Sequence, residues 1–291
     1  MPWKPLIREN KKYMKVAVAS GKGGTGKTIV STSLFLSVND AAYIDMDVEE
    51  PNGAIFISPE IEREERFSLP VPSFNENICT FCNACAEACV YSAISVIPQA
   101  KKVLFFEELC HSCGVCKYVC PEPGAIVEVP KEIGTIRVGN NGNFVEGTLD
   151  IGIPSAVPLI SGIKRYIPDN DVVILDSPPG TSCPVVETLK DSDYVILVTE
   201  PTPFGINDLS LALDIVRELE KPHGIIVNKH NEKVSLAREF ARSKDVEILL
   251  EIPFSRKVAE GYSKGIPLVD IEPEYRSNFK DLIERIRVTI S

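Results

Sequence analysis

Apolar runs of strand length alternate with helical segments along most of the chain. From Lys15, KVAVAS is a short continuous apolar run. A glycine-rich octet follows, then IVSTSLFLSV with helical length, then AAYIDMD. Strand, loop, helix, strand is the order of a βαβ unit on a parallel sheet, whose strands read as unbroken apolar runs because both faces are covered. Asp171–Asp176, Tyr194–Thr199, Gly224–Asn228 and Val246–Glu251 are further runs of this kind, separated by helix-length segments such as Asp208–Leu219 and Lys233–Arg242. The alternation predicts an α/β fold with a doubly wound, mostly parallel sheet. Near the C-terminus, Phe279, Leu282, Ile283 and Ile286 recur at helical spacing within Tyr275–Ile290. Acidic and basic residues are mixed on that segment, so it predicts a helix docked on its own sheet rather than a membrane-binding tail.

The alternation fails between about Pro70 and Val129, a proline-bounded and cysteine-dense stretch. It predicts a small α+β domain, residues 71–129, inserted in a surface loop of a discontinuous larger domain, 14–70 plus 130–291. Residues 1–13, ahead of a second methionine, read as an N-terminal extension. After the insert, IRVGNNGNFVEG predicts a hairpin turning at Asn141-Gly142.

Composition narrows the function classes. The chain has 291 residues, 44% hydrophobic and 25% charged, which excludes a disordered or fibrous chain. No apolar run approaches the ~18 residues needed to cross a bilayer, so no membrane insertion is expected. A net charge of −10 removes the whole-chain basic footprint of a nucleic-acid partner. The charged N-terminus lacks the apolar core of a signal peptide, and the expected compartment is the cytoplasm. Nine cysteines in that compartment do not read as disulfides. Eight of them lie between Cys79 and Cys120, and such clustering points to metal.

Gly21, Lys22, Gly23, Gly24, Thr25, Gly26, Lys27 and Thr28 fit the phosphate-loop pattern G-x4-G-K-S/T, after a predicted strand and at the opening of a predicted helix. Glycines let backbone N–H groups converge on phosphate oxygens, and the helix adds its positive end. Lys27 would reach the β- and γ-phosphates and Thr28 would hold Mg²⁺. With Lys22 inside it, the loop resembles the deviant Walker A class that includes MinD, ParA and the nitrogenase iron protein. The resemblance covers residues 14 to about 70 and 130 to 291. It implies an ATPase with a nucleotide-sandwich dimer, in which Lys22 reaches the partner's phosphates. It further implies that Asp47 is the hydrolytic carboxylate supported by Asp45, and that Asp176 stands beside the Mg²⁺ shell. Gly180 would sense the γ-phosphate, Asn228 with Lys229 would read adenine, and the Ile252-Pro253-Phe254 loop would cover the base.

Cys79-x2-Cys82-x2-Cys85-x3-Cys89 is repeated 31 residues later as Cys110-x2-Cys113-x2-Cys116-x3-Cys120. This is the two-cluster bacterial ferredoxin spacing, in which the fourth cysteine of each run serves the other cluster. It predicts one [4Fe–4S] cluster on Cys79, Cys82, Cys85 and Cys120, and a second on Cys110, Cys113, Cys116 and Cys89. Zinc, the competing thiolate metal, is usually held by paired C-x2-C knuckles, which these triplets do not make. Cys183 stands apart and reads as a buried or idle thiol.

Together the motifs resemble MinD-superfamily ATPases carrying an inserted ferredoxin domain. The resemblance implies a homodimer, or a heterodimer with a paralogous ATPase, and a redox or apo-protein partner. Three functions follow in order: ATP-coupled electron transfer, iron–sulfur cluster assembly or carriage, and a redox-sensing spatial regulator of the MinD or ParA type.

Overall fold

A computed structural model describes residues 13–230 and 236–290. The chain divides into two compact units. One takes the described residues up to Glu64, Ile136–Thr148 and those from Ile160 onward; the other is Glu65–Thr135 with Leu149–Leu159. The second unit is therefore wider than 71–129 on both sides and recruits a later segment. Proline at 70 marks a position inside a strand rather than a boundary.

The strands are β1 (Met14–Ala19), β2 (Ala41–Asp45), β3 (Ile61–Phe74), β4 (Ile94–Ile97), β5 (Lys102–Phe105), β6 (Ile126–Gly139), β7 (Phe144–Leu149), β8 (Val172–Asp176), β9 (Tyr194–Thr199), β10 (His223–His230) and β11 (Ile248–Pro253). The large sheet runs β11-β10-β9-β1-β8-β2-β7-β6-β3. Every pair from β11 to β7 is parallel. The five central runs are buried almost throughout, as two covered faces require. In-register pairing sets Asp45 beside Asp176, at the carboxyl ends of β2 and β8. Open α/β sheets bind ligands at that edge.

The first-unit core joins Val16, Val18, Ile174 and Ile196 of the sheet to Val30 and Leu34 of the helix Lys27–Ser37. The C-terminal helix Tyr275–Ile290 adds Phe279, Leu282, Ile283 and Ile286, each at most 2% exposed. At about 1.5–3 kcal/mol per fully buried side chain, that face is committed to the core and is not free for a lipid surface.

Some boundaries move for identifiable reasons. The helix expected from Asp208 begins at Pro203, because Thr202 caps it by accepting the Gly205 N–H at 3.0 Å and proline suits the first helical position. The strand expected from Val246 begins at Ile248, because the Val246 N–H closes the preceding helix onto Ala241 O. That helix is described over Leu236–Lys244; its expected start at Lys233 lies outside the described residues, as do residues 1–12 of the expected extension. The Asn141-Gly142 turn is present. Both central residues have positive φ, 56° and 88°, as a type I′ turn requires, and Asn143 N–H closes it onto Asn140 O.

In the second unit, β4 and β5 pair antiparallel. Two one-turn helices, Ala84–Glu87 and Val115–Tyr118, repeat each other. Phe81 and Ser112 both have φ 54°, and Asn83 and Gly114 have φ 71° and 73°. The 31-residue repeat in sequence is thus a repeat in backbone conformation. The small core is built around thiols: Cys85 and Cys116 are buried with Ile94 and Ile126, and Cys89 and Cys120 pack against them.

Candidate functional site

The loop between β1 and the helix Lys27–Ser37 forms one wall of a cavity of about 380 Å³. Gly23, Gly24, Gly26, Lys27 and Thr28 line it, facing Asp47, Glu50, Asn52, Pro179, Asn228, Lys229 and Pro253. A Cβ built at Gly23 or Gly24 meets nothing within 4 Å, so the cradle is open toward the cavity. Gly26 is required for another reason. It is left-handed at φ 92°, and a Cβ there would lie 2.1 Å from Asn228 Nδ2. The Lys27–Ser37 helix begins without a side-chain cap, so its first N–H groups remain for a ligand. Ile29, Phe254, Val258, Ala259 and Tyr262 supply an apolar side. Cradle, cation and apolar wall together suit a nucleotide. A larger, open concavity of about 650 Å³ beside Leu236–Lys244 has no such cradle.

Lys27 is 7% exposed, with Nζ 2.7 Å from Asp176 Oδ1 and 3.6 Å from Asp47 Oδ2. Burial alone would lower its ammonium. Asp176, then Asp47 and Asp45, outweigh that and hold it above its ordinary value. The other oxygen of Asp176 accepts the Tyr43 hydroxyl at 2.7 Å. Asp45 is fully buried and accepts backbone N–H groups from Asp47, Asn52 and Gly53 at 3.0–3.2 Å. It therefore shapes the loop that carries Asp47 and lies outside the cavity lining. Burial and the neighbouring Asp176 both push its carboxyl up. Asp47 faces the cavity, and burial, opposed by Lys27, pushes it up to about 6.

The remaining predicted residues fall around this centre. Thr28 is buried in the first helical turn. Gly180 has φ 96° and donates its N–H to Ser20 O at 2.9 Å. Asn228 lines the cavity; Nδ2 donates to Thr25 O at 2.8 Å and Oδ1 accepts the Lys229 N–H at 2.9 Å. In this arrangement Asn228 braces the loop, and one amide N–H and one Oδ1 lone pair remain beyond these two bonds. Lys229 turns to Gly24 O at 2.8 Å. Lys22 is paired with Glu200 at 2.5 Å.

Four of the cysteines share a pocket. Cys79, Cys82, Cys85 and Cys120 line one pocket with Phe74, Val96 and Ile126. Cys85 is raised by burial first, with Cys79 and Cys120 adding their charge. Cys116 is pushed up to about 11 by burial, with Cys110 and Cys113 contributing. Backbone N–H groups of Phe81, Ala93 and Ser112 donate to Cys79, Cys89 and Cys110 sulfur at 3.3–3.4 Å. Among the described residues no group of three or more His, Cys, Asp or Glu is placed to hold a single ion. Cys183 is exposed at the start of the helix Cys183–Leu189, which removes the buried alternative of the expected buried or idle thiol.

The model of the CobQ/CobB/MinD/ParA nucleotide binding domain matches residues 16–268. The chain belongs to this family. An uncharacterised Methanocaldococcus jannaschii protein, MJ0579, is 30% identical over 268 residues, covering 87% of this chain and 90% of its own. The iron-sulfur cluster carrier protein of the same organism is 27% identical over 306 residues, covering 96% and 87%. Among solved structures, the cell division ATPase MinD of Pyrococcus furiosus superposes with a TM-score of 0.56 at 17% identity, covering 94% of this chain and 99% of that one. The fold is therefore that of MinD and ParA proteins. Among the described residues no helix is long and apolar enough to cross a membrane.

The sequence named the loop, Asp45, Asp47, Asp176 and the Pro253 segment, of which the loop, Asp47 and Pro253 line the cavity. It missed Glu50, Asn52, Val258, Ala259 and Tyr262 of the cavity, and Glu200. The first five carry no motif, and a period-3.6 reading of 256–262 would have named an apolar helix face without saying what it faces.

Proposed function

We propose that the protein binds and hydrolyses ATP, with Mg²⁺, and couples that nucleotide cycle to electron transfer through two [4Fe–4S] clusters. The observation that carries this reading is the presence in one chain of an open glycine cradle beside a buried lysine–carboxylate centre, and of eight cysteines in two matched sequence runs, four of them around one pocket. Lys27 leaves Asp176 for the phosphates, backbone N–H groups of Gly23 to Lys27 bind their oxygens, and Thr28 holds Mg²⁺. Asp47 orients water in line with the γ-phosphate, and Asp45 holds the loop that places it. Lys22 meets the phosphates of a second protomer, a copy of this chain or a paralogue. The apolar side formed by Pro253, Phe254, Val258 and Tyr262 takes the base. Cys79, Cys82, Cys85 and Cys120 hold one cluster, and Cys110, Cys113, Cys116 and Cys89 the other. The clusters supply one-electron storage; N–H donation to cysteine sulfur tunes their potential.

Cluster carriage to apo-proteins is the second reading, favoured by the names of the carrier relatives. It calls for clusters that leave the chain readily; clusters retained through repeated reduction and reoxidation argue for electron transfer.

Asp47→Asn tests the hydrolytic assignment. Its ATP turnover should fall by about a hundredfold or more, with ATP affinity kept. Wild-type turnover should itself fall as pH drops through about 6, where Asp47 takes up a proton and loses its hold on water. The variant's profile should be flat there. A steady-state assay across pH 5–8 reads both, and unchanged turnover in the variant removes Asp47 from the chemistry.

A further inference from the structure

Glu200 belongs to none of the motifs. It follows β9 at the carboxyl end of the sheet, the end that carries the phosphate loop. Its carboxylate takes both lysines beside that loop, with Oε1 2.5 Å from Lys22 Nζ and Oε2 3.5 Å from Lys229 Nζ. The backbone on each side is constrained. Gly205 lies so close that a Cβ there would stand 2.4 Å from Glu200 O and 3.1 Å from its Cγ. Lys229 has φ 53°, a conformation a lysine keeps only when its surroundings impose it. Its N–H is held by Asn228 and its Nζ also donates to Gly24 O. The meeting of the three charges is thus built from fixed backbone on the 200–205 and 228–229 segments.

A carboxylate bridging two ammonium groups fills the electrostatic place of a phosphate. We infer that Glu200 is a cis counter-ion that keeps Lys22 from any nucleotide phosphate until it is displaced, a positioning residue for Lys22. The inference rests on the phosphate-binding role proposed for Lys22. Glu200 and Lys22 are 18% and 31% exposed in their side chains, so the pair is screened and of modest strength. A triphosphate with several charges outcompetes it, and the compact ammonium on a flexible stem transfers easily. The pair is a latch whose release accompanies nucleotide-driven association.

Two measurements on the full chain test the latch. Without nucleotide, an amine-reactive reagent is followed by peptide mass spectrometry. Glu200→Gln should speed labelling of Lys22 about two- to fivefold, while Lys164, held by Glu187 and Asp191, labels at its former rate. An unchanged Lys22 rate overturns the latch. With a non-hydrolysable ATP analogue, sedimentation should show Glu200→Gln associating at an analogue concentration about two- to fivefold lower. That shift should vanish in a Lys22→Ala background. An equal shift in both backgrounds means that Glu200 acts by its field alone and also overturns the proposal. If the wild type binds no analogue, the nucleotide reading falls, and the labelling rate still decides the latch.

Discussion

Lys27→Ala is expected to abolish measurable nucleotide binding. The ammonium offers charge-assisted hydrogen bonds worth roughly 1.5–3 kcal/mol each, and two of them lost to phosphate weaken binding by at least about a hundredfold. The same substitution also acts without nucleotide. Lys27 is the cation opposite Asp176, which has no exposure and is otherwise bonded to Tyr43. Removing one partner of a buried pair costs about 3–5 kcal/mol, so thermal stability falls as well. Lys27→Arg separates the two effects, because it keeps a cation near Asp176 but brings a larger, planar head that the cradle does not match. It should melt close to the wild type and still bind nucleotide poorly. Calorimetric titration with ADP, beside a thermal melt, reads both. Full affinity in a folded Lys27→Ala protein would remove the phosphate loop from the account.

The second large effect concerns iron. Protein prepared anaerobically should be brown and hold about eight irons and eight sulfides per chain. The crossed ligation makes a sharper expectation. Cys120 lies in the second run but lines the pocket of Cys79, Cys82 and Cys85. Cys79→Ser with Cys120→Ser should therefore leave about four irons, no fewer than either substitution alone. Cys110→Ser with Cys120→Ser should leave none. Cys183→Ser should lose no iron, since an exposed thiol at a helix start lies outside both sets. Iron and sulfide assays read these counts, and two zincs without colour would end the cluster reading.

What the sequence made legible was local. The phosphate loop, the cysteine runs and the Asn141-Gly142 turn are written in consecutive residues, and each constrains the backbone through glycine, asparagine or fixed spacing. The buried strands were readable because parallel sheets need unbroken apolar runs. What stayed hidden depends on distance along the chain. Glu200 meets Lys22 across 178 residues, and no pattern of either segment announces it. The contacts of Asn228 with Thr25 and Gly26 likewise join segments about two hundred residues apart, and neither segment announces them. Leu149–Leu159 joins the second unit although the intervening residues belong to the first. The early start of the Pro203–Glu218 helix follows a local signal, the Thr202 cap with proline at the first helical position, that the apolar spacing of Asp208–Leu219 does not contain.

The claim that nucleotide and iron act together is tested most directly by redox titration of the cluster-loaded chain, followed by EPR, with and without MgATP. The account predicts that MgATP shifts a midpoint potential or alters a reduced-cluster signal, and that Lys27→Ala abolishes the change. Identical potentials and identical spectra in the two conditions, in a chain that demonstrably binds MgATP, would contradict it.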